Sequence, residues 1–176
     1  MVELPGIGRM TYDEEFDWYY LEEMPVKVLG GQVCRIIVDG YDHDEAREEF
    51  HEAISSFISA DPSVLKEAEE HVFQYYLDCA ERWYAGEGEY PVIETPEDVW
   101  KHVRFGSEPL VARRAYGDRG IYVSLECGCA WEIEHGLNIV FKNGQRVSKV
   151  GENDGHCTNS DAFDDVTLED VIYVAA

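Results

Sequence analysis

Basic residues are what this 176-residue chain has too few of: 14 Lys and Arg stand against 37 Asp and Glu, a formal net charge of −23. So acidic a chain repels another polyanion, which excludes nucleic acid as a direct ligand and points to basic partners or to cations. No apolar run approaches the ~20 residues that span a bilayer, so no membrane partner is expected. The N-terminus lacks the basic and apolar regions of a signal peptide. Five cysteines are an odd number without a pairing pattern, which fits a reducing cytoplasm better than a disulfide scaffold. Internal repeats, low-complexity runs and interdomain linkers are also absent. A single domain over residues 1–176 is therefore expected, and 45% hydrophobic with 12% aromatic residues suffices for one core.

The charge is unevenly placed along the chain. Residues 1–100 hold 25 acids and 6 bases, residues 101–150 hold 5 acids and 8 bases, and residues 151–176 hold 7 acids and no base. Either Lys101, Arg104, Arg113, Arg114 and Arg119 lie beside acidic helices and offset them, or the molecule carries two electrostatic faces.

A polar arm reaches Tyr12, and residues 16–21, 26–29 and 33–38 read as strands separated by Met24-Pro25 and Gly30-Gly31. Asp42 and Glu45 have capping-box spacing before Ala46, Phe50, Ile54 and Phe57, which recur at helical intervals. The opposite side of that helix carries Asp44, Glu45, Glu48, Glu49 and Glu52. Asp61-Pro62 opens a second helix with an inner stripe of Leu65, Ala68, Val72, Tyr75 or Tyr76, Cys79 and Trp83, ending at Gly86-Glu87-Gly88. Thr95 caps a third, short helix with acids in its first turn. Residues 110–116 read as a strand, and 116–120 as a turn.

From Ile121 to Glu134 apolar residues alternate with Tyr122, Ser124, Glu126, Glu132 and Glu134, the period of a half-buried strand. His135-Gly136 turns the chain; Leu137, Ile139 and Phe141 share the inner face of a second strand. Asn143-Gly144 is a hairpin turn into a third strand over residues 147–150, completing an antiparallel meander. Residues 167–170 can form one helical turn. The order of strands, helices and strands predicts an α+β fold, a mostly antiparallel sheet with a long helical hairpin packed on it.

The run Glu126-Cys127-Gly128-Cys129-Ala130-Trp131-Glu132-Ile133-Glu134-His135-Gly136-Leu137 is followed by Val150-Gly151 and by Asp154-Gly155-His156-Cys157-Thr158-Asn159. This combination resembles the C-terminal signature of a bacterial family of small acidic domains of unknown function, and residues 26–83 are similar to it in layout. Members resemble proteins found near contact-dependent or polymorphic toxin systems, so the resemblance implies an immunity or accessory role.

Four constellations carry possible chemistry. Cys127, Cys129, His135, His156 and Cys157 are donors suited to zinc, yet thiols at i and i+2 on one strand face stand roughly 7 Å apart, too far to share a metal without a bulge at Gly128. Cys157 with His156, or Cys127 with His135, offers a thiol beside a base. Glu126, Glu132 and Glu134 with His135 offer acid and base groups, or with Asp154 a hard-cation site. The aromatic set Trp18, Tyr19, Tyr20, Tyr75, Tyr76, Trp83, Tyr84, Trp100 and Trp131 cannot all be buried, which makes Tyr19 and Tyr75 candidate exposed anchors.

The reading that follows is a non-enzymatic acidic interaction domain without a cofactor. It presents Glu45, Glu48, Glu49 and Glu52 to a basic protein partner, in the narrower form an immunity protein for a basic toxin. The alternative is a zinc-binding or thiol-dependent enzyme built on the Cys127–Cys157 region.

Overall fold

Alternating apolar and polar residues draw most of the chain into one sheet. The computed structural model describes residues 1–83 and 88–175. The strands are β1 (Val2–Leu4), β2 (Gly8–Asp13), β3 (Trp18–Leu21), β4 (Met24–Val26), β5 (Gln32–Cys34), β6 (Ile37–Asp39), β7 (Val103–Phe105), β8 (Leu110–Arg113), β9 (Ile121–Cys129), β10 (Leu137–Lys142) and β11 (Arg146–Gly151). Nine of them form one sheet in the order β1-β2-β3-β6-β8-β9-β10-β11, with β7 also paired to β9, while β4 and β5 form a separate ribbon. The β6–β8 pair is parallel, so the sheet is mixed.

The expected mostly antiparallel sheet with a long helical hairpin is therefore corrected to a nine-stranded mixed sheet carrying short helices. Helix α1 (Arg47–Ser59) packs on β8, β9 and β4, whereas α2 (Lys66–Glu81), entered through a 3-10 turn at Pro62–Leu65, packs on β11 and the 3-10 helix Pro96–His102. Each helix has one apolar stripe, Phe50, Ala53, Ile54 and Phe57 in α1 and Ala68, Val72, Tyr75, Tyr76 and Cys79 in α2. A stripe buried on the sheet and its neighbours is not free to pair with a second helix. Among the described residues no helix is long and apolar enough to cross a membrane.

Other expectations also shift. The polar arm is the β1–β2 hairpin, because Val2, Leu4 and Met10 alternate with Glu3 and Arg9. Residues 26–29 leave β4 for a 3-10 turn, and residues 33–38 split into β5 and β6. Helix α1 begins at Arg47 rather than near Asp42; Asp44 accepts the Ala46 N–H at 2.8 Å just before it. Strand β8 stops at Arg113, and β9 stops at Cys129, leaving Ile133 86% exposed. Helix α2 ends at Glu81, short of Trp83, while Tyr84 and Gly86 lie outside the described residues. The 121–150 meander forms with Leu137 opposite Cys127 and Ile139 opposite Leu125 and Val150. Its Asn143-Gly144 turn abuts α1: a Cβ on Gly144 would lie 2.1 Å from the Ala53 carbonyl oxygen.

Strand alternation also separates two consecutive arginines. Arg113 shares the face of Val111 and reaches Asp44 and Glu49 at α1, with Nη1 donating to Glu49 Oε2 at 2.7 Å. Arg114 points to the other face, where the C-terminal segment with helix α3 (Asn159–Phe163) lies. It donates to Asp161 at 2.7 and 2.8 Å, to Glu169 Oε2 at 2.9 Å and to Thr158 Oγ1 at 3.1 Å. A Cβ on Gly117 would come within 2.7 Å of the Arg114 guanidinium, so the glycine makes room for it.

Near this clamp, Asp118 accepts the Gly120 N–H and the Tyr122 hydroxyl, each at 3.1 Å, and pairs with Lys142. Burial would raise its carboxyl, yet Lys142 and the two hydrogen bonds outweigh it and hold the group down at about 2. A carboxyl depressed by folding adds stability above its unfolded value near ~4 and loses it as pH falls toward the folded one. Asp118→Asn is expected to flatten the loss of thermal stability between about pH 4 and pH 2. An acid limb identical to wild type contradicts the assignment.

Candidate functional site

The motif that dominates the sequence builds a loop. Odd positions of β9 face the helices, so Cys127 and Cys129 are core residues, their thiols donating to the carbonyls of Leu125 and Glu132. Trp131 is buried edge-on against Tyr75 and Tyr76, with ring centroids 6.3 and 5.9 Å away. The Glu132 carboxylate then accepts the N–H groups of Glu134 and His135 at 2.9 and 2.7 Å. Gly136 has φ +67 and passes so close to β9 that a Cβ would sit 2.7 Å from the Cys127 carbonyl oxygen. Its own carbonyl accepts the Tyr75 hydroxyl at 3.0 Å. Glu134 and His135 remain exposed at the tip beside Ile133.

The second motif fixes another loop. Asp154 accepts the ammonium of buried Lys149 and the His156 N–H at 3.0 Å, and Gly155 makes the turn at φ +77. His156 and Cys157 thus lie with the C-terminal segment, away from Cys127 and Cys129 in the core. Among the described residues no group of three or more His, Cys, Asp or Glu side chains is placed to hold a metal ion. Burial pushes the Cys127 and Cys129 thiols up to about 12 and the Cys157 thiol up to about 11, so all three carry their protons at neutral pH and are poor nucleophiles.

The expected aromatic anchors are corrected. Tyr19 and Tyr75 are 7% and 4% exposed. Tyr19 faces the core because β3 alternates, and its hydroxyl donates to Asp42 at 2.8 Å; Tyr75 lies between Trp131 and Tyr173. Glu45, Glu48, Glu49 and Glu52 are exposed, with Glu49 engaged by Arg113.

The feature that sequence reasoning missed is a cleft of about 940 Å³ on the sheet face opposite α1. Leu110 and Ala112 of β8 with Tyr122, Ser124 and Glu126 of β9 form its floor, and the C-terminal segment forms its far wall. Of the carboxylates lining it, Asp39, Glu126 and Asp164 enter no ion pair among the described residues, whereas Asp161 and Glu169 are held by Arg114. Tyr116 and Val166 stand at its rim, 75% and 84% exposed. Ser124 donates to Asn138 Oδ1 at 2.9 Å; Asn138 is buried and its Nδ2 has no acceptor among the described residues. The sequence signal for this face was the even-numbered series Tyr122, Ser124, Glu126, which on its own reads as a solvated face.

The chain matches the family model described as a domain of unknown function (DUF6985) over residues 6–157 and belongs to that family. No curated protein and no solved structure matches it. The motif through Cys157 lies inside the matched region, and α3 lies beyond it.

Because Trp131 carries the loop, Trp131→Ala is expected to cost roughly 3–5 kcal/mol in denaturant unfolding, the range for deleting a large core aromatic. A midpoint within error of wild type would show that the indole is not the anchor.

Proposed function

We propose that this DUF6985 domain is a non-enzymatic interaction domain whose acidic surface receives a basic protein partner. The observation that carries the reading is the cleft, in which Asp39, Glu126 and Asp164 face solvent without an ion-pair partner among the described residues. Arg113, Arg114 and Lys149, three cations placed around these layers, are all paired internally. Their charge is unavailable to offset Glu45, Glu48 and Glu52 on the outer side of α1. Complementary charge of this kind accelerates encounter with a basic protein and rejects acidic ones.

In its narrower form the partner is a basic toxin domain and the chain its immunity protein, acting in the cytoplasm. The resemblance of the 126–137 and 154–159 motifs supports that form. The alternative zinc or thiol enzyme draws no comparable support, since Cys127 and Cys129 lie buried in the core, apart from the half-buried Cys157, and among the described residues no three donors are placed to hold a metal ion.

The product of the adjacent gene is the first partner to test, by stopped-flow association with wild type and with a Glu45→Lys/Glu48→Lys/Glu52→Lys variant. Association of the variant is expected to be about tenfold slower at 0.01 M salt, the difference shrinking as the Debye length falls from ~30 Å to ~8 Å at 0.15 M. If pull-down from the native host recovers no basic protein, or the variant associates at an unchanged and salt-independent rate, the reading fails.

A further inference from the structure

The motif loop does not stand apart from the cleft. A second depression of about 380 Å³, lined by Arg104, Gly106, Gly128, Ile133 and His135 among others, shares Glu108 and Glu126 with it. The two are one groove along β9, from Tyr122 at one end to Gly128 and the loop tip at the other. At about 3.3 Å per residue, the run from Tyr122 to Gly128 gives it a length of roughly 20 Å, the span of about seven extended residues.

Exposed apolar groups stand at both ends, among carboxylates at the Tyr122 end and beside Arg104, Glu134 and His135 at the Gly128 end. Tyr116 and Val166 stand exposed at the Tyr122 end, and Ile133 at the other. Between them lies Glu126, unpaired among the described residues, and Glu108, which is held at the rim by Arg35. The loop presenting Ile133 is rigid by construction, since Trp131 is buried and the Glu132 carboxylate holds two consecutive N–H groups. A preorganised anchor loses little entropy on binding.

We propose that this groove is the docking site for one extended, basic segment of a partner protein. Its Arg or Lys side chains lie over Glu126 and the Asp39–Asp164 end, and its apolar side chains rest on Tyr116 and Ile133. A polypeptide supplies both elements together, namely cationic groups and apolar groups spaced along roughly 20 Å of extended chain. A small polyamine supplies only the first. The assignment rests on the interaction reading above and narrows it to one face, away from α1.

The test is fluorescence anisotropy with a labelled octapeptide alternating Arg and Leu, a second octapeptide with Gln in place of Arg, and spermine as competitor. The protein variants are Glu126→Gln, Ile133→Ser and Tyr116→Ser, all at exposed side chains. The Arg-Leu peptide is expected to bind wild type and to lose about tenfold in affinity in each variant, the Gln peptide to bind far more weakly, and spermine to displace neither effectively. Failure of the Arg-Leu peptide to bind at low salt overturns the proposal, as does displacement by spermine equal to that by the unlabelled peptide. Binding that ignores the three groove variants but falls with the Glu45→Lys/Glu48→Lys/Glu52→Lys change overturns the groove while leaving the basic-partner reading intact.

Discussion

Arg114 is the residue on which the arrangement of layers depends. It is 3% exposed, and a guanidinium so placed is tolerable only when every side of it meets an acceptor. Asp161, Glu169, Asp118 and Thr158 provide them, and the hydrogen bonds that the guanidinium donates to Glu169 and Asp161 drive it still further from deprotonation. Three of these four groups come from residues 158–169 or from helix α3, so the buried charge obliges the C-terminal segment to lie on the sheet. Its neighbour Arg113 performs the matching task on the opposite face, binding Asp44 and Glu49 where α1 begins. Arg113, the last residue of β8, and Arg114 just beyond it therefore tie one layer to each side of the sheet, their side chains leaving the extended backbone in opposite directions.

The groove follows from that clamp. The C-terminal segment is held at the Tyr122 end of β9 and leaves the floor open toward Glu126, so a wall exists on one side and a channel beside it. Pairing the buried cations internally also leaves the outer surface more acidic than an even mixture of the same residues. Composition and topology thus act together: the excess acid has nowhere to be neutralised within the fold, and the cleft is where several of its carboxylates converge.

Local signals were legible in the sequence and long-range ones were not. The period-two run from Ile121 and the Asn143-Gly144 turn specify the meander because both depend on neighbours. Asp61-Pro62, read as a helix start, begins the 3-10 turn Pro62–Leu65 that leads into α2, the Asp61 carboxylate accepting the Ser63 N–H at 3.0 Å. The helical hairpin was misread because a stripe such as Phe50, Ala53, Ile54 and Phe57 says that a face is buried but not on what. Tyr19 and Tyr75 were misplaced for the same reason, as each finds a core position and a hydroxyl partner that spacing alone does not reveal. The acids of residues 151–176 and the bases of residues 101–150 hinted at the Arg114 clamp; only the β8–β9 pairing brings its parts together.

Native-state hydrogen exchange on Arg114→Met tests the clamp directly. The account predicts that the amides of residues 158–173 lose protection while those of β9, β10 and β11 keep theirs, because the C-terminal layer alone is released. Unchanged protection in residues 158–173, or loss of protection in the sheet to the same degree, would contradict the claim that Arg114 holds that layer in place.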